Sequence, residues 1–147
     1  LLNRDSGLKG ICGDNDMRSI EARMTAGDAE ARLAFDMFCY RARKYLGAYM
    51  AVLGGVDAIF FGGGIGENCP AVRQRILQGM NYAGIVLSEA ENARMIGLRG
   101  RISDVSSDVG IYVVPVDEGR VLAAEALEVF VKATRSSPDS IQMAKQT

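Results

Sequence analysis

The sequence contains no histidine. It therefore has no imidazole to act as general acid, general base or neutral metal ligand. It has no excess of one charge: Lys and Arg nearly balance Asp and Glu, for a net charge of −1. That argues against nucleic acid as a partner, since such binders usually show a basic face. No apolar run approaches the roughly 20 residues of a membrane span, and no signal-peptide pattern stands at its start. A membrane partner is not expected. Cysteine is scarce. Cys12, Cys39 and Cys69 are odd in number and show no metal-ligand spacing. Reduced thiols in a cytoplasmic protein are the simplest reading. Met is absent from position 1. The opening Leu1-Leu2-Asn3 reads like an element already in progress and suggests a piece of a longer protein.

What is present is enough for one domain with a real core: 147 residues, 48% of them hydrophobic. Asn15 and Asp16 precede a short helical pattern, Met17 onward, that ends at Gly27. Asp28 reads as an N-cap. Ala29 to Leu53 then reads as a long amphipathic helix stopped by Gly54-Gly55, with Leu33, Ala34, Met37, Phe38, Ala42, Tyr45, Tyr49 and Val52 as its apolar positions. Val56 to Phe61 fits a buried strand. A glycine-rich loop follows, then a helix capped by Asn68 or Cys69, with Pro70 in its first turn, running to about Ala83. Ile85–Leu87 and Arg101–Ser103 are candidate short strands, and Ser88 to Gly100 allows one or two helical turns. Val109 to Val116 is a second strong strand, and a helix is expected from about Gly119 to Ala133. The patternless tail from Thr134 to Thr147 is expected to be disordered. Alternating strands and helices predict α/β with a mostly parallel sheet, whose ligands sit at the carboxyl ends of strands.

Both strong strands end in candidate chemistry. The first runs into Phe60-Phe-Gly-Gly-Gly-Ile-Gly-Glu-Asn68. From the glycines alone, a tight strand-to-helix turn and a ligand lying on bare backbone are equally good readings. A P-loop is excluded, because the segment ends Gly66-Glu67-Asn68 rather than Gly-Lys-Ser/Thr. The dinucleotide fingerprint fails in both registers, at Glu67 and at Cys69. Glu67 would repel a pyrophosphate, so a nucleotide here would lay its adenine and ribose, not its phosphates, on the loop. Asn68 would then hydrogen-bond base or ribose. The second strand runs into Asp117-Glu118. A carboxylate there suits Mg²⁺, which takes one or two carboxylates plus waters and phosphates. From these residues alone, capping by Asp117 with Glu118 in the first helical turn is the favoured reading, and the roles can be split, with Asp117 capping and Glu118 facing the site. In Asp14-Asn-Asp-Met-Arg18, Asp16 reads as a simple cap, and Arg18 as a partner for Glu21 three residues on.

Taken together these stretches resemble the acetate kinases. The resemblance is carried by Leu2-Asn-Arg-Asp-Ser-Gly-Leu-Lys-Gly-Ile, Asp16-Met-Arg, Ala34-Phe-Asp-Met-Phe-Cys-Tyr and its continuation to Tyr49. It is carried further by Asp57-Ala-Ile-Phe-Phe-Gly-Gly-Gly-Ile-Gly-Glu-Asn, Val72-Arg and Val114-Pro-Val-Asp-Glu. It runs from Leu1 to about Phe130 and is to the C-terminal part of the family. It implies a ribonuclease H-like domain of the actin/Hsp70/sugar kinase type. Residues 1–133 would be a nucleotide-binding and dimerisation domain, with 134–147 as tail. It implies adenosine contacts from Asp16, Met17, Arg18, Gly64, Ile65, Gly66, Glu67 and Asn68, Mg²⁺ association at Glu118, ATP and ADP as substrates, and a homodimer. The phosphoryl-transfer residues and the carboxylate pocket would lie upstream, so no catalytic residue is expected in this chain, and acetate or another short-chain acid would meet the missing region. Departures are Gly62 for a usual Thr or Ser, Gly119 for a frequent second Glu, and Cys69 for a common Ser.

Overall fold

The computed structural model describes residues 6–116 and 126–127. The chain divides into two units, Leu1–Pro115 and Val116–Thr147. Of the second unit, only Val116 and the helical pair 126–127 belong to the described residues. Asp117, Glu118, the boundary expected at 133 and the tail expected to be disordered all lie outside them.

The first unit opens with α1 (Gly7–Cys12) and α2 (Met17–Thr25), followed by α3 (Ala29–Leu53). Asp16 caps α2 by accepting the Arg18 amide at 3.0 Å. Asp28 caps α3 by accepting the amides of Glu30 and Ala31 at 2.9 and 3.1 Å. Each bond satisfies a donor that a helix N-terminus leaves without an intrahelical partner. Gly54 closes α3 in the left-handed region at φ 73°, where a side chain would be strained. The bounds expected for α3 are those observed. Its buried face is not the expected one: Ala31, Ala34, Phe35 and Cys39 are buried, whereas Leu33 and Met37 are exposed. α1, α2 and α5 (Pro70–Leu77) all pack on α3, and the buried positions face them. Arg43 on α3 caps the far end of α5, donating to the carbonyls of Ile76 (2.8 Å) and Arg75. A cation at a helix C-terminus also complements its dipole.

β1 (Ala58–Phe61) pairs in parallel with β3 (Gly110–Val113), and β2 (Gly100–Arg101) pairs antiparallel with β3, in the order β1-β3-β2. The sheet is thus mixed rather than mostly parallel. The connection from β1 to β3 contains α4 (Gly63–Asn68), α5 and α6 (Glu89–Arg94), long enough for a parallel crossover. β2 reaches β3 through a short connection, which permits only antiparallel pairing. Of the expected strand Ile85–Leu87, a single bridge from Leu87 to Ser103 remains. α5 stops at Leu77 and not near Ala83; a separate 3₁₀ turn covers Asn81–Ala83. Ile59, Ile111 and Val113 bury one face of the sheet with Val72, Ile76, Ile85 and Ile102. Each such side chain contributes roughly 1.5–3 kcal/mol of burial. The register pairs Phe61 with Val113, and the Val114 amide donates to the Phe61 carbonyl at 2.9 Å. Both strands therefore leave the sheet at the same end.

Candidate functional site: a cleft between two helix starts

The segment after β1 is not a loop. Gly63–Asn68 is a short helix, α4, although glycine is a poor helix former. Its glycines serve different ends. Gly63 has φ 69°, a conformation that L side chains rarely adopt. A Cβ on Gly66 would stand 3.3 Å from the Phe61 carbonyl carbon, tighter than ordinary contact, so the Phe61 backbone would have to give way to a side chain. A Cβ on Gly64 would meet nothing within 4 Å. The fold of this unit does not require glycine there.

Arg73 holds α4 in place. Its side chain is fully buried, and its five N–H donors have five acceptors. Nε donates to Asn92 Oδ1 at 2.7 Å; Nη1 donates to the carbonyls of Gly66 (2.7 Å) and Glu67 (3.0 Å); Nη2 donates to those of Asn92 (2.8 Å) and Met95 (2.6 Å). The last carbonyls of a helix lack intrahelical donors, and here a guanidinium supplies them. Burial holds the Arg73 pKa below its ordinary value, because its charge is neutralised by dipoles alone. Sequence reasoning did not find this role. Its one signal was an Arg directly after the buried Val72.

α4 and the start of α2 face one cleft of about 380 Å³, lined by Asn15, Asp16, Met17, Arg18, Gly64, Ile65, Asn68 and Cys69. Six of the eight expected adenosine-contacting residues are among these, the exceptions being Gly66 and Glu67. The carbonyls of those two are held by Arg73, and that of Glu67 also accepts the Gly97 amide at 3.2 Å. Asn15 and Cys69 were not expected. Larger hollows of about 530 and 580 Å³ lie elsewhere and contain none of the expected residues.

The cleft is close to charge-neutral. Arg18 folds back on Asp16, with Nε 3.3 Å from Oδ1 and Nη2 3.1 Å from Oδ2. It does not bond Glu21, as sequence spacing suggested. The Arg18 side-chain and backbone hydrogen bonds hold Asp16 below the usual carboxylate range, and Asp16 raises Arg18 in turn. Met17 is buried, and Ile65 adds an apolar surface. Asn68 donates its Nδ2 to the Gly64 carbonyl at 2.9 Å. A carbonyl only accepts, so this bond fixes the amide orientation and leaves Asn68 Oδ1 as the acceptor. A paired ion, an apolar patch, bare backbone and one oriented amide suit a planar, uncharged group with a few donors. They do not suit a phosphate.

Among the described residues no group of three or more His, Cys, Asp or Glu gathers as a metal site, and Glu118 is outside them. Among the described residues, no helix is long and apolar enough to cross a membrane.

The comparisons with known proteins fit this arrangement. The model of the acetokinase family matches residues 1–124. This chain belongs to the acetokinase family. It is 48% identical over 133 residues to an acetate kinase of Syntrophobacter fumaroxidans, an alignment covering 90% of this chain and 32% of the relative. It is 46% identical over 132 residues to one of Helicobacter pylori, covering 90% and 33%. The crystal structure of the Porphyromonas gingivalis acetate kinase superposes with a TM-score of 0.80 at 39% identity, over 88% of this chain and 33% of that one. A propionate kinase from Francisella tularensis superposes with a TM-score of 0.72 at 35% identity, over 80% and 29%. The chain thus spans about a third of the length of the acetokinases it matches. Its fold class is α/β, of the ribonuclease H-like, actin/Hsp70/sugar kinase type that these kinases share.

Proposed function

We propose that this chain is the C-terminal, adenosine-binding part of an acetate kinase, the enzyme that moves the γ-phosphoryl group of ATP to acetate. The observation that carries the reading is the shared cleft. Asp16-Met17-Arg18 and Gly64-Ile65-Asn68 are far apart in sequence and line one hollow. The freedom of Gly64 from any steric demand within its own unit supports a ligand lying against that backbone. The neutral lining supports adenosine there and phosphates beyond it. Glu118 would help to hold Mg²⁺ through a water, and the metal would supply charge neutralisation at the phosphates. Residues 1–133 would form the nucleotide-binding and dimerising domain, and 134–147 a tail. Phosphoryl transfer depends on positioning and charge stabilisation at the phosphate. The described cleft offers only a paired Arg18 for that work. The chain alone is therefore expected to bind ADP weakly and to catalyse nothing.

Two assays test this. Calorimetric titration with Mg·ADP should give saturable binding that Asn68→Ala removes. An acetyl phosphate trapping assay should give no product; measurable turnover would end the half-site reading.

Propionate as acceptor is the second reading, favoured by the propionate kinase superposition. A homodimer is supported by α3. At 100° per residue, Tyr45, Tyr49 and Val52 continue the face of Ala34, Phe38 and Ala42, yet they are 54%, 64% and 83% exposed. Among the described residues nothing covers this extension of the core face.

A further inference from the structure

The two walls of the cleft are the start of α2 and α4; α2 packs on α3 directly, whereas α4 packs on α5, which meets α3 separately. Along the cleft they are also joined directly. The Cys69 thiol donates to Glu21 Oε2 at 3.1 Å, across 48 positions of sequence. Glu21 lies on α2, three residues after Arg18. Cys69 follows Asn68 at once and is the shared cap residue of α4 and α5. Each partner therefore sits within one helical turn of a wall. The carboxylate only accepts, so the bond requires the protonated thiol. Burial, helped by the Glu21 hydrogen bond, pushes the thiol up to about 11, which keeps the donor in place at neutral pH. Cys69 is 3% exposed, so little water competes for the bond. Glu21 itself does not line the cleft.

We propose that Glu21 and Cys69 form a positioning latch, which holds the Asp16–Arg18 turn against the Gly64–Asn68 segment and so sets the width of the cleft. Glu21 is then a positioning residue that shapes the site through Cys69 without touching what the site holds. The latch itself is a property of the unliganded chain; its effect on ligand affinity rests on the adenosine reading above.

The test is amide hydrogen exchange on the full chain carrying Glu21→Ala, Cys69→Ala, Cys69→Ser and the double alanine variant, with Mg·ADP titrations in parallel. Cleft reporters are the amides of Arg18, Cys69 and Gly97, bonded to Asp16 Oδ1 and to the carbonyls of Ile65 and Glu67. The core reporter is the Ile102 amide, bonded to the Ile111 carbonyl at 2.7 Å. Loss of one hydrogen bond from a weak thiol donor should speed cleft exchange about five- to tenfold beyond any change at Ile102. The double variant should be no faster than either single one, and Cys69→Ser, whose hydroxyl donates to the same carboxylate, should restore protection. Equal acceleration at cleft and core, or single effects that multiply in the double variant, would overturn the latch. Where the wild-type chain binds ADP, Glu21→Ala should weaken it about fivefold, although Glu21 does not touch the nucleotide; unchanged affinity overturns the effect on binding. A wild-type chain that does not bind ADP ends the adenosine reading for this chain, and exchange alone then decides the latch.

Discussion

Replacing Arg73 by Met should cost more stability than any other single polar substitution among the described residues. Met keeps an unbranched apolar stem and removes the guanidinium with all five donors. The stranded acceptors are the carbonyls of Gly66, Asn92 and Met95 and the Asn92 amide oxygen; the Glu67 carbonyl retains the Gly97 amide. A buried acceptor left without a donor costs about 1–3 kcal/mol. Four of them at the low end give about 4 kcal/mol. Against this stands relief from burying the guanidinium, whose cost is visible in its lowered pKa. Buried ions replaced by apolar groups sometimes gain from that relief. Here three of the four acceptors are backbone carbonyls held at the ends of α4 and α6, which cannot turn to new partners, so a net loss of about 3 kcal/mol is expected. With a urea slope of roughly 1–3 kcal/mol/M for a domain of this size, the midpoint should fall by about 1–3 M. Arg73→Lys, with three donors and no planar fork, should fall between. A Met variant that unfolds within about 0.3 M of wild type would refute the view that Arg73 supplies the end of α4.

The glycines of α4 should separate binding from folding. Gly64→Ala should leave the chain at least as stable, since Ala gains up to about 1 kcal/mol in a helix, yet abolish ADP binding. Gly66→Ala should destabilise through its contact with the Phe61 backbone. Differential scanning calorimetry with and without ADP checks both. Burial raises the Cys39 thiol to about 12 and the Cys69 thiol to about 11, from 9.0. Both should therefore resist alkylation at pH 8 until the chain unfolds. Because the folded values lie above the unfolded one, their contribution to stability is complete below pH 9 and is lost as pH rises toward 11–12. Urea midpoints between pH 8 and 10.5 should fall accordingly. Tyr49→Asp with Val52→Asp should convert a dimer to monomer in sedimentation without lowering the urea midpoint of the monomer.

Much of this was legible in the sequence where local chemistry decides. Asp28 and Gly54 fix both ends of α3, Asp16 starts α2, and the apolar runs after Gly55 and before Asp117 give β1 and β3. The three motif stretches pointed to the family, and six of their residues meet in one cleft. What stayed hidden depends on partners distant in sequence. Four glycines in seven residues read as a loop, because the guanidinium that stabilises the helix lies on α5. α1 is short and contains Gly7 and Gly10, and its packing on α3 could not be foreseen from its own pattern. Apolar residues run around most of α3, so periodicity alone could not tell Phe35, which is buried, from Leu33, which is not. Arg18 bonds its capping residue Asp16 rather than Glu21, whose Oε2 accepts the Cys69 thiol, and spacing alone does not choose between the two carboxylates.

The central claim is that adenosine lies between the start of α2 and α4. Titration of Mg·ADP into the ¹⁵N-labelled chain tests it most directly. Saturable shifts concentrated at the amides of Asp16–Arg18 and Gly64–Asn68, and lost in Gly64→Ala, are the expected result. Saturable shifts centred on another hollow, such as that lined by Phe35, Gln74 and Leu87, would contradict it, as would unchanged spectra of a folded chain at millimolar ADP.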